Sequence, residues 1–135
     1  MKTNADKIKE FHVTMGAAAP DRPTMPSKAL LDLRKTLIRE EYNEVNEQIE
    51  RLMQDETDDL APLIHELTDL LYVTYGAIWA CGVNPDPVFA EVHDANMRKL
   101  DGPRRADGKV LKPEGWQPAD VAGVIESLGG KHEND

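Results

Sequence analysis

Apolar residues recur along this chain at intervals of three and four, the period of an amphipathic helix, with no sustained strand-type alternation and no internal repeat. Ile8, Phe11 and Met15 share one face of a first predicted helix, which Gly16 and the following AAAPDRPTMP bring to an end. Ser27 is placed to cap a second helix, where Leu30, Leu33, Leu37, Val45, Ile49 and Leu52 make an apolar stripe ending near Gln54. A third begins near Asp59 or Leu60, with Pro62 in its first turn and Gly82 as its C-terminal cap. Leu63, Leu67, Leu70, Leu71, Val73 and Ile78 make it apolar over much of its circumference, the pattern of a central helix. The fourth starts between Pro85 and Pro87, is expected to bury Val88, Phe89 and Val92, and ends near Lys99. Beyond the Gly- and Pro-rich LDGPRRADGKVLKPEGWQ, Pro118 opens a short last helix carrying Val121, Val124, Ile125 and Leu128. The tail GGKHEND is expected to be disordered. The fold class that follows is all-α, a bundle of four to five helices in a single domain without a linker.

Some acidic residues break this pattern. Glu40, Glu41 and Glu44 span an arc of roughly 100° at 3.6 residues per turn. Glu41 lies four residues after Leu37 and four before Val45, so it falls within the apolar stripe. On the third helix Glu66 and Asp69 are about 60° apart and flanked by Ile64, Leu67, Leu70 and Leu71. Carboxylates taken from water are costly unless paired or bound to a cation, and two such sets facing each other would repel. Mg²⁺ takes hard oxygen ligands and retains positions for phosphate oxygens, which makes it the natural partner; Mn²⁺ is a second choice. The ordinary alternative is pairing with Arg34, Lys35, Arg39 or Arg51. Against it, Glu66 and Asp69 have no cation beside them in their own helix.

Composition narrows the picture. A chain of 135 residues with 40% hydrophobic content suits one domain, and a second copy would help so small a protein bury apolar surface. Its one cysteine, Cys81, excludes an internal disulfide framework and reads as an inert core residue. The N-terminus has no signal-peptide pattern, and LLYVTYGAIWACGV is short for a membrane span, so no membrane association and a cytoplasmic location are expected. A net charge of −9 argues against nucleic-acid polymers as partners. Residues 97–112 run the other way: Arg98, Lys99, Arg104, Arg105, Lys109 and Lys112 stand against Asp101 and Asp107. That basic island fits either a small anionic ligand or a solvated loop. A Gly- and Pro-rich stretch of this length is uncommon in a small domain unless it serves as a lid or binding loop. No Gly-rich phosphate loop is present, so phosphates must be held by metal and side chains.

Glu40-Glu41-Tyr42-Asn43-Glu44 matches E-E-x-x-E and Glu66-Leu67-Thr68-Asp69 matches E-x-x-D. With HELTDLLYVTYGA and VFAEVHDANMRKLDGPRRADGKVLKPEGW after them, the chain resembles the all-α NTP pyrophosphohydrolases, the MazG-like superfamily, and especially its small dUTP-cleaving members. The resemblance implies a MazG-like homodimer that splits dUTP or a related dNTP between the α and β phosphates, cleansing the nucleotide pool. It implies Glu41, Glu44, Glu66 and Asp69 as metal ligands and Glu40 as a residue that holds another metal or positions the attacking water, whose proton a carboxylate there could also accept. It implies Asn96, Lys99, Lys112 and Trp116 as substrate contacts, the last two on a segment closing over its own or the partner's site; Arg104 and Arg105 of the basic island join them. Phosphoribosyl-ATP is an alternative substrate on the same scaffold. A non-enzymatic acidic helical dimer is a further alternative, while a di-iron bundle is disfavoured because no Glu-x-x-His occurs.

His65 reads as a satisfied or exposed histidine and Trp79 as core, while His93, one helical turn from Asn96, reads as an ordinary histidine ahead of a substrate contact. For Trp116, base stacking or lid packing competes with simple hydrophobic anchoring.

Overall fold

Capping chemistry sets the helix boundaries. In the computed structural model, which describes residues 1–130, Thr3 and Asp6 form a reciprocal capping box for α1 (Asn4–Met15), and Gly16 ends it in the left-handed region at φ 77°. The Ser27 hydroxyl accepts from the Leu30 amide at 3.1 Å to open α2 (Lys28–Met53). Helix α3 (Ala61–Ala80) carries Pro62 in its first turn, and Asn84 caps α4 (Pro85–Met97), with Pro85 at its first position. Asp120 takes the capping position before α5 (Val121–Gly130), its carboxylate accepting from the Gly123 amide at 3.0 Å. Thus α5 starts at Val121 rather than at Pro118, and α4 stops at Met97 rather than near Lys99, whose amide turns back to Asn96. Gly129 and Gly130, expected in the disordered tail, are the last residues of α5, while Lys131–Asp135 lie outside the described residues. No helix among the described residues is long and apolar enough to cross a membrane.

Packing groups the residues into two compact units, Met1–Val83 and a second from Asn84 onward. In the first, α1 and α2 both pack on α3, the central position that its apolar circumference predicts. Ala5, Ile8 and Trp79 form a buried cluster with Tyr75 against it, and the Trp79 indole N–H donates to the Ala5 carbonyl at 2.8 Å. In the second, α4 packs on α5, and the Trp116 indole N–H donates to the Ala95 carbonyl, also at 2.8 Å. Each unit therefore has a tryptophan hydrogen-bonded to a buried alanine's carbonyl on a helix.

The buried faces differ from the expected stripes by small rotations. On α2 the covered positions include Leu30, Arg34, Leu37, Glu41, Val45, Gln48 and Leu52, while Leu33 and Ile49 are exposed. Arg34, Glu41 and Gln48 thus place a polar residue in the covered stripe every seven positions. On α4 the covered residues beyond the first turn are Val88, Glu91 and Ala95; Phe89 is 61% exposed and Val92 and Asn96 share its outer face. Phe11 and Met15 on α1, and Ile64, Leu67 and Leu71 on α3, are exposed as well. Periodicity identifies an apolar face, but a neighbouring element must exist to cover it.

The link between α1 and α2 crosses the end of α3, where the Thr24 amide donates to the Cys81 carbonyl at 2.8 Å. Gly82 permits this approach, since its φ is +70° and a Cβ there would collide with the Arg22 carbonyl. Gly82→Ala is therefore expected to cost about 2 kcal/mol or more in chemical denaturation. A loss below a few tenths would show that the crossing gives way freely.

Candidate functional site

The covered face of α3 repeats at Glu66, Asp69, Leu70 and Val73, and Glu41 lies on the covered face of α2, the helix packed most extensively against α3. These registers bring Glu41, Glu66 and Asp69 together, with one oxygen from each within 4.8 Å of the others. All three are half-buried. Two of their oxygens, Glu41 Oε2 and Glu66 Oε2, are fully covered and accept no hydrogen bond.

The electrostatics follow from that crowding. Burial first, then the neighbouring Glu44 and the charges of Asp69 and Glu66, push the Glu41 carboxyl up to about 7. Glu66 is raised as well, chiefly by the adjoining Glu44 carboxyl and secondarily by burial. Glu44 is exposed yet faces both residues, whereas Glu40 is exposed and outside the cluster of three. Carboxylates that crowd this closely and keep covered, unshared oxygens suit a hard divalent cation.

None of the four cations considered as partners neutralises the cluster. Arg51 reaches Gln48 and Glu56, and among the described residues Lys35 and Arg39 make no ion pair. Arg34 is buried beside His12, where Gly76 leaves room for both side chains. His12 is a site the spacing alone does not single out, and Arg34, expected as a partner for the acids, is instead buried: it lies four after Leu30 and three before Leu37, the same kind of spacing that singles out Glu41. One correction concerns Asp69: a basic side chain does lie in its own helix, since His65 Nε2 is 3.4 Å from its carboxylate. That histidine is largely exposed, so the contact is a weak counterweight to three carboxylates.

In the second unit, Lys99 and Lys112 place their ammonium groups 4.8 and 5.3 Å from the centre of the Trp116 ring. Arg105, expected to contact substrate, instead grips Asp107 through two hydrogen bonds of 2.9 and 2.6 Å. The reason is local: Arg104 bridges Val110, and the tight turn between them folds the guanidinium onto the carboxylate two residues on. Arg104 is exposed, as is Asn96.

Residues 8–96 match the family model described as phosphoribosyl-ATP pyrophosphohydrolase. The chain belongs to the phosphoribosyl-ATP pyrophosphohydrolase family. That family lies within the MazG-like all-α NTP pyrophosphohydrolase superfamily, in agreement with the five helices described. No curated protein matches the chain. The family match includes Glu41, Glu44, Glu66, Asp69 and Asn96 and stops before Lys99, Arg104, Arg105, Lys112 and Trp116. As a member of this family, the chain is a nucleotide pyrophosphohydrolase; dUTP cleavage is a narrower statement than the family carries.

Proposed function

We propose that this protein is a divalent-metal-dependent pyrophosphohydrolase that releases pyrophosphate from a nucleotide triphosphate, with phosphoribosyl-ATP its best-supported substrate. The observation that carries the reading is the meeting of Glu41, Glu66 and Asp69 within 4.8 Å, with covered oxygens that nothing else satisfies. These three would hold Mg²⁺ or Mn²⁺, with Glu44 beside them. A cation there supplies neutralisation of charge on the phosphate oxygens, the main demand of phosphoryl transfer. Glu40, exposed one residue before Glu41, can accept a proton from the attacking water on its carboxylate. Asn96, Lys99, Arg104, Lys112 and Trp116 serve nucleotide binding, while Arg105 is left out because Asp107 already occupies it.

The family match favours phosphoribosyl-ATP, while dUTP is a second reading that rests on the sequence resemblance alone. Homodimer assembly is part of the proposal, since Leu33 and Ile49 of α2 and Ile64, Leu67 and Leu71 of α3 stay exposed in a single chain. A soluble cytoplasmic setting fits it too.

The deciding assay measures pyrophosphate released from phosphoribosyl-ATP, dUTP and the common deoxynucleoside triphosphates with Mg²⁺ or Mn²⁺. Phosphoribosyl-ATP is expected to lead. A clear dUTP preference would move the assignment, and silence across the whole panel with both metals would end the enzymatic reading.

A further inference from the structure

The segment beyond the family match contains an arrangement that a solvated basic loop does not need. Helix α4 ends with the Lys99 amide bonded to the Asn96 carbonyl, which leaves the Ala95 carbonyl without its usual helical partner. The Trp116 indole takes that carbonyl at 2.8 Å. Its backbone is held as well: the Trp116 amide closes a turn onto the Pro113 carbonyl at 3.2 Å, with Gly115 at φ +75° in the third position that such a turn reserves for glycine. The ring is thereby fixed at both ends.

Two ammonium groups meet at this ring, Lys99 from the end of α4 and Lys112 from the strand of chain before the turn. They can be no farther apart than the sum of their distances to the ring centre. Among the described residues neither pairs with a carboxylate, although acidic residues outnumber basic ones 25 to 16 in the chain. Like charges gathered without a counterion repel, and the electron-rich face of an indole offsets only part of that. An anion completes the arrangement. Lysine ammoniums act as point charges toward phosphate oxygens, and two of them suit a chain of phosphates better than a single carboxylate.

We propose that Trp116 is a positioning residue that holds Lys99 and Lys112 as a paired clamp for the phosphate chain, rather than a platform on which the base stacks. The proposal takes its ligand class from the pyrophosphohydrolase reading. Its test needs neither turnover nor metal, so the two can fail separately.

The probe is inorganic tripolyphosphate, titrated calorimetrically into the full chain in EDTA, with melting midpoints recorded for every variant. Wild type is expected to bind saturably, and binding is expected to weaken about tenfold both in Lys112→Gln, which removes one ammonium of the clamp, and in Trp116→Leu, which removes both cation–π contacts. Trp116→Phe keeps an aromatic face and is expected to stay within about threefold of wild type. Absence of saturable binding to wild type overturns the clamp. So does a Trp116→Leu affinity within twofold of wild type, or a Trp116→Phe defect equal to that of Leu, which would mark the indole as scaffold only. Loss of uridine or adenosine binding in Trp116→Leu, with tripolyphosphate unaffected, would return the ring to base stacking. If the clamp behaves as expected while no nucleotide is hydrolysed, the enzymatic reading falls and the anion site stands.

Discussion

Glu41→Gln and Asp69→Asn are each expected to abolish pyrophosphate release while leaving the helical circular-dichroism signal intact. Both changes keep side-chain volume and remove one of three negative charges that converge within 4.8 Å. Loss of a direct ligand should exceed the roughly 10–100-fold penalty typical of groups that only support a ligand. Folding should not suffer, because the metal-free site is already strained by repulsion and by covered oxygens without partners. Glu41→Gln without metal is therefore expected to melt at or above the wild-type midpoint. A ligand of the native state raises the midpoint, so the variant should also lose the increase that Mg²⁺ gives wild type. Turnover near the wild-type level in either variant would remove these carboxylates from the mechanism. A lower metal-free midpoint in Glu41→Gln would show that its carboxylate makes a net favourable contact.

What the chain discloses in advance, and what it withholds, follows from the range of each interaction. Helix boundaries at Thr3, Ser27 and Asn84 depend on groups two or three residues away, so they can be read locally. The carboxylate site is legible for a related reason. A helix of fixed period assigns each side chain an azimuth, and Glu41 has the azimuth of Leu37 and Val45. By the same rule Arg34 shares the covered stripe with Leu30 and Leu37, although its charge by itself suggests only a partner for the acids. Phe89 and Val92 show the opposite limit: their spacing is correct for a face, yet the elements packed on α4 cover Val88, Glu91 and Ala95 instead. For Arg105 the deciding contact is Asp107, two residues ahead, and it depends on the conformation of a turn that composition does not specify. Trp116 depends on a carbonyl freed by the way α4 ends, twenty-one residues earlier.

Metal-free stability is expected to carry two opposing pH dependences, one from the acidic site and one from His12. An unfolded glutamate titrates near 4.5, whereas folded Glu41 titrates near 7, so between these values the native state holds more protons than the unfolded chain. Its contribution to stability is present below about pH 4.5 and is lost as pH rises toward 7. His12 works in reverse. Burial first, and then the positive charge of Arg34, push its imidazole below the usual 6.5. The groups facing it are Arg34 on α2, the Gly76 backbone on α3 and the Ala18 carbonyl, and none of them is an acid. Its contribution is therefore present above pH 6.5 and is lost as pH falls through its lowered value. The two slopes oppose each other below 6.5 in wild type, which is expected to show a weak net dependence there. Each variant removes one contribution: His12→Gln should melt at progressively lower temperature as pH rises from about 5 to about 7, and Glu41→Gln, which keeps only the raised Glu66 of the acidic site, should gain stability relative to wild type over the same interval. Mg²⁺ should reverse the falling slope in His12→Gln, because a bound cation requires ionised carboxylates and competes better as protons leave. Melting midpoints of the three proteins across this range, in EDTA and in Mg²⁺, check every arm. If Glu41→Gln follows the metal-free wild-type profile, the carboxylates do not crowd one another in solution, and the case for a cation between them loses its physical basis.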